Sequence, residues 1–293
     1  MNAVAEVAAV PTVETQGLAA RLRGIRHVAL DMDGTIYKGG QLFEFTNRFL
    51  AQLTEWGIGY TFLTNNSSKS AAEYAAHLKK LGVEHGEDRV FISTHATIEY
   101  LRREQPSVRK LYVLGSSGMK TELAAAGFLI TGESAGDEPD AVIAGFDLAM
   151  TYRSLCRAAW WIKKGKLFVA SHPDTVCPTD EPTVLVDCGS ICAALTTATG
   201  RAPDAVAGKP DPRMLLGLAQ RLGLKPGEMA MAGDRIYTDV EMARRAGALG
   251  VLVLTGEATA GDAAQADPPP DLVVRDLAEF AELLRSAREM KFS

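Results

Sequence analysis

The stretch "VALDMDG", Val28 to Gly34, reads as a buried strand that runs straight into two negative charges. Val28, Ala29 and Leu30 are apolar. Asp31 follows at once and Asp33 comes two places later. Carboxylates at the mouth of a core repel one another, and desolvation penalises both. A turn accounts for one Asp and the Gly. The pair demands a cation, a proton or a reaction.

Working outward, strand-like and helix-like runs alternate. "TNRFLAQLTEW" keeps Phe49, Leu50, Leu53 and Trp56 at helical spacing, and Gly57 stops it. "IGYTFLTNN" (58–66) is the next strand, and "SAAEYAAHLKKLG" (70–82) an amphipathic helix with a glycine stop. The middle repeats the grammar: "KLYVLG", "DAVIAGFD" and "KLFVAS" are strands separated by "MKTELAAAGF" and "SLCRAAWWIKKG". The tail returns to strands in "DAVAGKP", "EMAMAGD" and "LGVLVLTG". Such alternation specifies βαβ units and a parallel sheet covered on both faces.

The 293 residues exceed a usual single domain, and 47% hydrophobic content is enough for a real core. A formal charge of −5 leaves no basic footprint for nucleic acid or an anionic membrane, and no apolar run approaches a membrane span. The start is Ala/Val-rich, but Glu6, Glu14 and the missing basic segment argue against a signal peptide. Residues 1–20 read as a loose leader and the protein as cytoplasmic. The four cysteines form no C-x-x-C, so reduced thiols are expected. Cys177, Cys188 and Cys192 lack the closely paired ligands of a zinc site with His172 and read as small buried hydrophobes.

In open parallel sheets, ligands bind beyond the carboxyl ends of the strands. Four expected strands end there in reactive residues: Asp31 with Asp33; Thr64 with Asn65 and Asn66; Lys209; and Asp234. Each alone has a bland reading as a turn, a cap or a loop. Together they converge on one edge. Other motifs fail on spacing: an EF-hand loop from Asp31 would need Gly and Glu where Ile36 and Leu42 stand. "GKP" is no P-loop, because Pro210 follows Lys209.

The set suits phosphoryl transfer. Asp31 can attack phosphorus and form an aspartyl-phosphate. Carboxylate and phosphate repel, so a hard divalent cation such as Mg²⁺ must sit between them, with Asp234 as a second carboxylate. Thr64 and the backbone N–H groups after it can bind phosphoryl oxygens, while Lys209 offsets charge. Asp33 is left for proton transfer.

"DMDGT", "TNN", "GKP" and "GDRIYTD", in that order, resemble the four signature motifs of the haloacid dehalogenase superfamily. The lead-in "YKGGQLF" is similar to that of its IIA subfamily, the NagD-like and p-nitrophenylphosphatase-like phosphatases. The likeness runs from Arg26 to about Glu257. It implies a Rossmann-like α/β core of residues 21–104 and 202–293, with a large α/β cap domain inserted as residues 105–201. It also implies Mg²⁺ held by Asp31, Asp234 and the Asp33 backbone carbonyl. Asp31 would be the nucleophile, Asp33 the general acid/base and Lys209 the motif lysine. Thr64 would hold phosphate with Asn65 and Asn66 in support, and Asp239 would orient the site. Asp33 marks the phosphatases and disfavours dehalogenation.

The cap departs from the family pattern. "SHPDTVCPTDEP" (171–182) stands where many relatives carry Asn-Pro-Asp or Asn-Arg-Asp. Asp187 and Cys188 replace the Pro and Gly of a Pro-Gly-x-Gly turn. Asp174, Cys177 and Asp187 are therefore the expected contacts to the leaving group. The resulting reading is a Mg²⁺-dependent phosphatase of small phosphorylated metabolites, with a homodimer through the cap as the expected assembly. The rivals are a phosphotransferase of the same superfamily and a phosphoacceptor or sensor without turnover. Receiver-type phosphoacceptors lack the second Asp and the cap.

Overall fold

The computed structural model describes residues 16–83, 89–179 and 181–289. Helix α1 (Gln16–Gly24) already belongs to the folded body, which corrects the leader expected to run to residue 20. Leu18, Ala19 and Leu22 recur at helical spacing, Ala19 and Leu22 are buried, and the helix packs on the last helix of the chain. The expectation for residues 1–15, and Asp180 of the cap loop, lie outside the described residues.

Two parallel sheets organise the chain. The first takes β1 (His27–Leu30) and, after the small hairpin β2 (Tyr37–Lys38) and β3 (Gln41–Leu42), helix α2 (Thr46–Glu55) and β4 (Gly59–Thr64). Helix α3 (Ala71–Lys80) then leads towards β5 (Val90–Ile92). Ser70 caps α3 in a reciprocal box with Glu73, which fixes the helix start just past the Thr-Asn-Asn turn.

Helix α4 (Ser93–Glu104) crosses to the second sheet: β6 (Lys110–Leu114), α5 (Ser117–Ala125), β7 (Leu129–Ile130), β8 (Ala141–Ala144), α6 (Tyr152–Lys163) and β9 (Leu167–Ala170). A hairpin of β10 (Val176–Cys177) and β11 (Leu185–Val186), then α7 (Cys188–Thr199) and β12 (Ala205–Val206), complete that half. The chain returns through α8 (Arg213–Leu222), β13 (Met229–Gly233), a short π-helix (Ile236–Val240), α9 (Glu241–Ala246), β14 (Leu249–Val253), α10 (Ala260–Gln265), β15 (Leu272–Val274) and α11 (Leu277–Glu289).

The first sheet has the order β15-β14-β13-β1-β4-β5, all parallel, with the VALDMDG strand at its centre. Every residue of β1, β13 and β14 is buried, as expected of strands covered on both faces. The second sheet, β12-β9-β8-β6-β7, is also parallel and has its own core around Phe168 and Trp161. The architecture is therefore a Rossmann-like α/β core with a second α/β layer inserted in it.

One feature of the return differs from the sequence reading. β12 hydrogen-bonds to β9, so the second sheet continues to Val206 rather than stopping at the boundary set at residue 201. "DAVAGKP" is thus no core strand. Its two ladder residues add an edge to the insert, and only the segment after them crosses to the core.

The halves meet along a polar seam. Ser67 of the Thr-Asn-Asn loop accepts from the Phe146 backbone N–H at 2.9 Å, and Ser116 Oγ donates to the Ser67 carbonyl at 2.8 Å. The Ala71 backbone N–H donates to Glu122 at 2.7 Å. Helix α4 buries Ala96 in the core cluster and Ile98 and Leu101 in the insert's own.

Candidate active site

Register brings the first group of residues together. Leu30 aligns with Phe62 on β4 and Ala232 on β13, so the residues just past each strand reach one edge. The Asp31 backbone N–H extends the ladder by donating to the Ala232 carbonyl at 2.9 Å. Asp31, Thr64 and Asp234 therefore stand side by side.

Lys209 arrives by another route, from the segment leaving β12. Asn65 guides it: its carboxamide accepts from the Lys209 backbone N–H at 2.8 Å and donates to the Lys209 carbonyl at 2.9 Å. Gly208 permits this, because a Cβ there would lie 2.6 Å from Asn65 Oδ1 and 2.7 Å from the Ser171 carbonyl. Lys209 is 3% exposed, and its ammonium is shared between Asp31 and Asp239, with Asp239 Oδ1 at 2.6 Å. Asp239 is wholly buried, and its other oxygen accepts from the Arg235 backbone N–H at 3.1 Å.

The charges do not balance. Asp31, Asp234 and Asp239 place ligand oxygens within 4.8 Å of one another, against one buried lysine. Burial, opposed by Lys209 but reinforced by Asp239 and Asp234, pushes Asp31 up to about 8. Burial and the Asp239 charge likewise push Asp234 up to about 6. Asp234 Oδ2 accepts from the Glu257 backbone N–H at 2.7 Å, but Oδ1 is buried without a hydrogen-bond partner among the described residues. Two glycines cradle that carboxylate: a Cβ on Gly34 would lie 2.8 Å from Asp234 Cγ, and one on Gly256 would lie 2.5 Å from it. A hard divalent cation fits such a donor set, which is all oxygen, over-negative and has a lone pair to spare.

Asp33 is exposed and follows the buried Met32. Gly34 turns the chain there at φ +82, and its backbone N–H closes on the Tyr37 carbonyl at 2.7 Å. On β4, Thr64 Oγ1 accepts from the Asn66 backbone N–H at 3.1 Å. Asn66 also accepts from the Ser68 N–H at 2.9 Å and donates to Cys177 Sγ at 3.5 Å. Asn65 spends its side chain on Lys209 and on Asp174, whose two oxygens both lie 3.2 Å away.

The insert supplies the opposite wall. Asp174, Cys177 and Asp187 line one pocket with Asp31, Asp33, Thr64, Asn65, Asn66 and Lys209. Every site residue expected from the sequence is thus in it, except Asp234 and Asp239, which lie behind the lysine and the β1 turn. His172, from the same polar cap loop, is completely buried behind Asp174 and Asp187. Arg235 and Tyr37 also line the pocket and were not singled out from the sequence. Arg235 lies inside the quoted "GDRIYTD", but an arginine beside a motif carries no signal of its own. Here it pairs with Glu257 at 2.9 Å.

Profiles of known families agree with this geometry. The haloacid dehalogenase-like hydrolase profile matches residues 28–129 and a HAD-hydrolase-like profile matches residues 206–280. The acid sugar phosphatase of Staphylococcus aureus is 31% identical over 255 residues, 87% of this chain and 96% of that one. The chain belongs to the haloacid dehalogenase superfamily. Within it the chain is a hydrolase of the NagD-like and p-nitrophenylphosphatase-like group. The 4-nitrophenylphosphatase of Thermotoga maritima superposes with a TM-score of 0.84 at 39% identity, covering 89% of this chain and 98% of that one. A glycerol phosphate phosphatase of Mycobacterium tuberculosis, solved in complex with magnesium, gives 0.81 at 33% identity, covering 89% of this chain and 78% of that one.

No helix of the described residues is long and apolar enough to cross a membrane. All four cysteines are free. Cys188 and Cys192 are buried in the insert as expected, whereas Cys177 lies on the pocket wall.

Proposed function

We propose that the protein is a Mg²⁺-dependent phosphatase of small phosphate monoesters that works through an aspartyl-phosphate on Asp31. The observation that carries this is the arrangement at one sheet edge: Asp31 and Asp239 bridged by a buried lysine, beside an Asp234 oxygen that has no partner among the described residues. The side chains of Asp31 and Asp234 and the Asp33 carbonyl would hold the cation. When bound it offsets carboxylate–phosphate repulsion and stabilises charge on the phosphoryl oxygens.

A carboxylate oxygen of Asp31 forms the bond to phosphorus as the bond to the leaving oxygen breaks. Asp33 gives that oxygen a proton, then takes one from the water that attacks the phosphoenzyme, releasing phosphate and restoring Asp31. Lys209 donates to Asp31 and draws its charge away from its neighbours, and Asp239 holds the lysine in place. Thr64 would bind the phosphoryl oxygens, together with those backbone N–H groups of its loop that the internal bonds to Thr64 Oγ1 and Asn66 leave available. The insert, up to Val206, acts as the cap. It closes over the leaving group through Asp174, Cys177 and Asp187.

Phosphate release from p-nitrophenyl phosphate tests this reading. It should require Mg²⁺, cease with a chelator and continue far beyond one equivalent per chain. Asp31→Asn should fold and lose at least ~10³-fold in kcat. Release that stops at one equivalent would point to the phosphoacceptor. Dependence on an added alcohol rather than water would point to the phosphotransferase.

A further inference from the structure

Behind the cap wall lies a group that the chemistry above does not use. His172 is fully buried. Its Nδ1 faces Asp174 Oδ2 at 3.6 Å and its Nε2 faces Asp187 Oδ1 at 3.5 Å, and neither nitrogen has a closer partner among the described residues. Both acids line the pocket.

Asp174 already accepts from Asn65 and Asp187 from the Cys188 backbone N–H at 2.6 Å, but a neutral imidazole has a single N–H and would turn its other lone pair on a carboxylate, whereas the doubly protonated ring presents an N–H to each. We propose that His172 is a positioning residue: as an imidazolium between Asp174 and Asp187 it keeps both carboxylates ionised on the pocket wall. The cap thereby selects phosphomonoesters whose leaving group offers neighbouring hydroxyls over those that carry a second anion. This rests on the phosphatase reading and deepens it.

The surroundings agree. Asp174 comes from the same loop, while α7 contributes Asp187 at its N-cap and the neighbouring Cys188. From the core, Arg235 approaches Asp174 to 3.9 Å, and Asn65 clamps the same carboxylate. Burial alone would push His172 down. Cys188, Asp174 and Asp187 outweigh it and bring the ring up to about 9. Carboxylates fixed in this way accept hydrogen bonds from hydroxyls and repel a carboxylate or second phosphate, while p-nitrophenol offers them no donor.

The experiment compares kcat/KM for glucose 6-phosphate, glycerol 3-phosphate, 2-phosphoglycolate and p-nitrophenyl phosphate between pH 7 and 10, where every ester is a dianion at its phosphate. In the wild type the ratio of the better hydroxylated ester to p-nitrophenyl phosphate should fall about tenfold or more as pH passes 9, because the lost proton sets a ring lone pair against one carboxylate and displaces it from the pocket wall. His172→Gln should show the lowered ratio at pH 7, with no pH dependence, and should lose less than about threefold on p-nitrophenyl phosphate. A pH-flat wild-type ratio, equal losses on both esters, or preference for 2-phosphoglycolate would each overturn the assignment. If the variant does not fold, the wild-type pH arm decides alone. No turnover of p-nitrophenyl phosphate by the wild type would instead sink the phosphatase reading.

Discussion

Gly256→Ala probes Asp234, the carboxylate proposed to hold the cation, from a residue outside every motif. The new Cβ would overlap Asp234 Oδ2 and stand 2.5 Å from Asp234 Cγ and 2.6 Å from its Cβ. Rotating the carboxylate gives no relief, since the Asp234 Cβ is itself too close. Carbon atoms rest about 3.5 Å apart, so Asp234 or the Gly256 backbone must move by about 1 Å. That shift also strains the 2.7 Å hydrogen bond from the Glu257 N–H, worth about 1 kcal/mol. A displacement of this size at a reacting centre costs about 100-fold in rate, and disturbing the support of a metal ligand costs about 10- to 100-fold in metal affinity.

The assay is a Mg²⁺ titration of p-nitrophenyl phosphate turnover, with thermal unfolding as the fold control. The Mg²⁺ midpoint should rise at least tenfold while Tm falls by only a few degrees. Gly261→Ala is the matched control, since its Cβ would meet only Thr259 Oγ1, at an ordinary 3.5 Å. A Gly256→Ala enzyme with the wild-type midpoint and kcat would refute the cradle, and with it the placement of Asp234 at the metal.

Two further outcomes follow from the buried charges. Lys209→Met keeps the volume but leaves Asp31 facing Asp239 without the cation between them, so the Asp31 carboxyl should be driven further up and turnover lost by at least ~10³-fold. A raised Asp31 pKa makes the folded state bind more protons, so this variant should gain stability relative to wild type as pH falls from 8 to 5.5. Urea unfolding at the two pH values checks it, and a parallel pH dependence would count against the bridge. His27 is buried neutral against Thr61 and beside Arg89, and burial first, then that guanidinium, lowers it to about 4. The unfolded chain then binds the extra proton, so this stability is full above about pH 6.5 and lost as pH falls towards 4, by about 3 kcal/mol. His27→Gln should flatten that part of the profile.

Much of this protein is local and therefore legible in sequence. Alternating apolar runs and glycine stops specify the βαβ order, because strand and helix periodicity are properties of neighbouring residues. Asp31, Asp33, Thr64 and Asp234 follow from strand ends, because a parallel sheet delivers the residue after each strand to one edge. Lys209 was legible as a residue but not as a placement. Only pairing energetics decide that Ala205–Val206 joins β9 of the insert rather than the core, and only then does Asn65 become the clamp that aims the lysine. The same holds for His172 and Gly256. A histidine in a polar loop reads as solvated until α7 and the core cover it, and a glycine after a strand reads as a turn until Asp234 fills the space its side chain would occupy. Burial and close approach are sums over residues distant in sequence, so the motif chemistry was written in the chain while the charge state and shape of the pocket wall were decided by the packing of one half on the other.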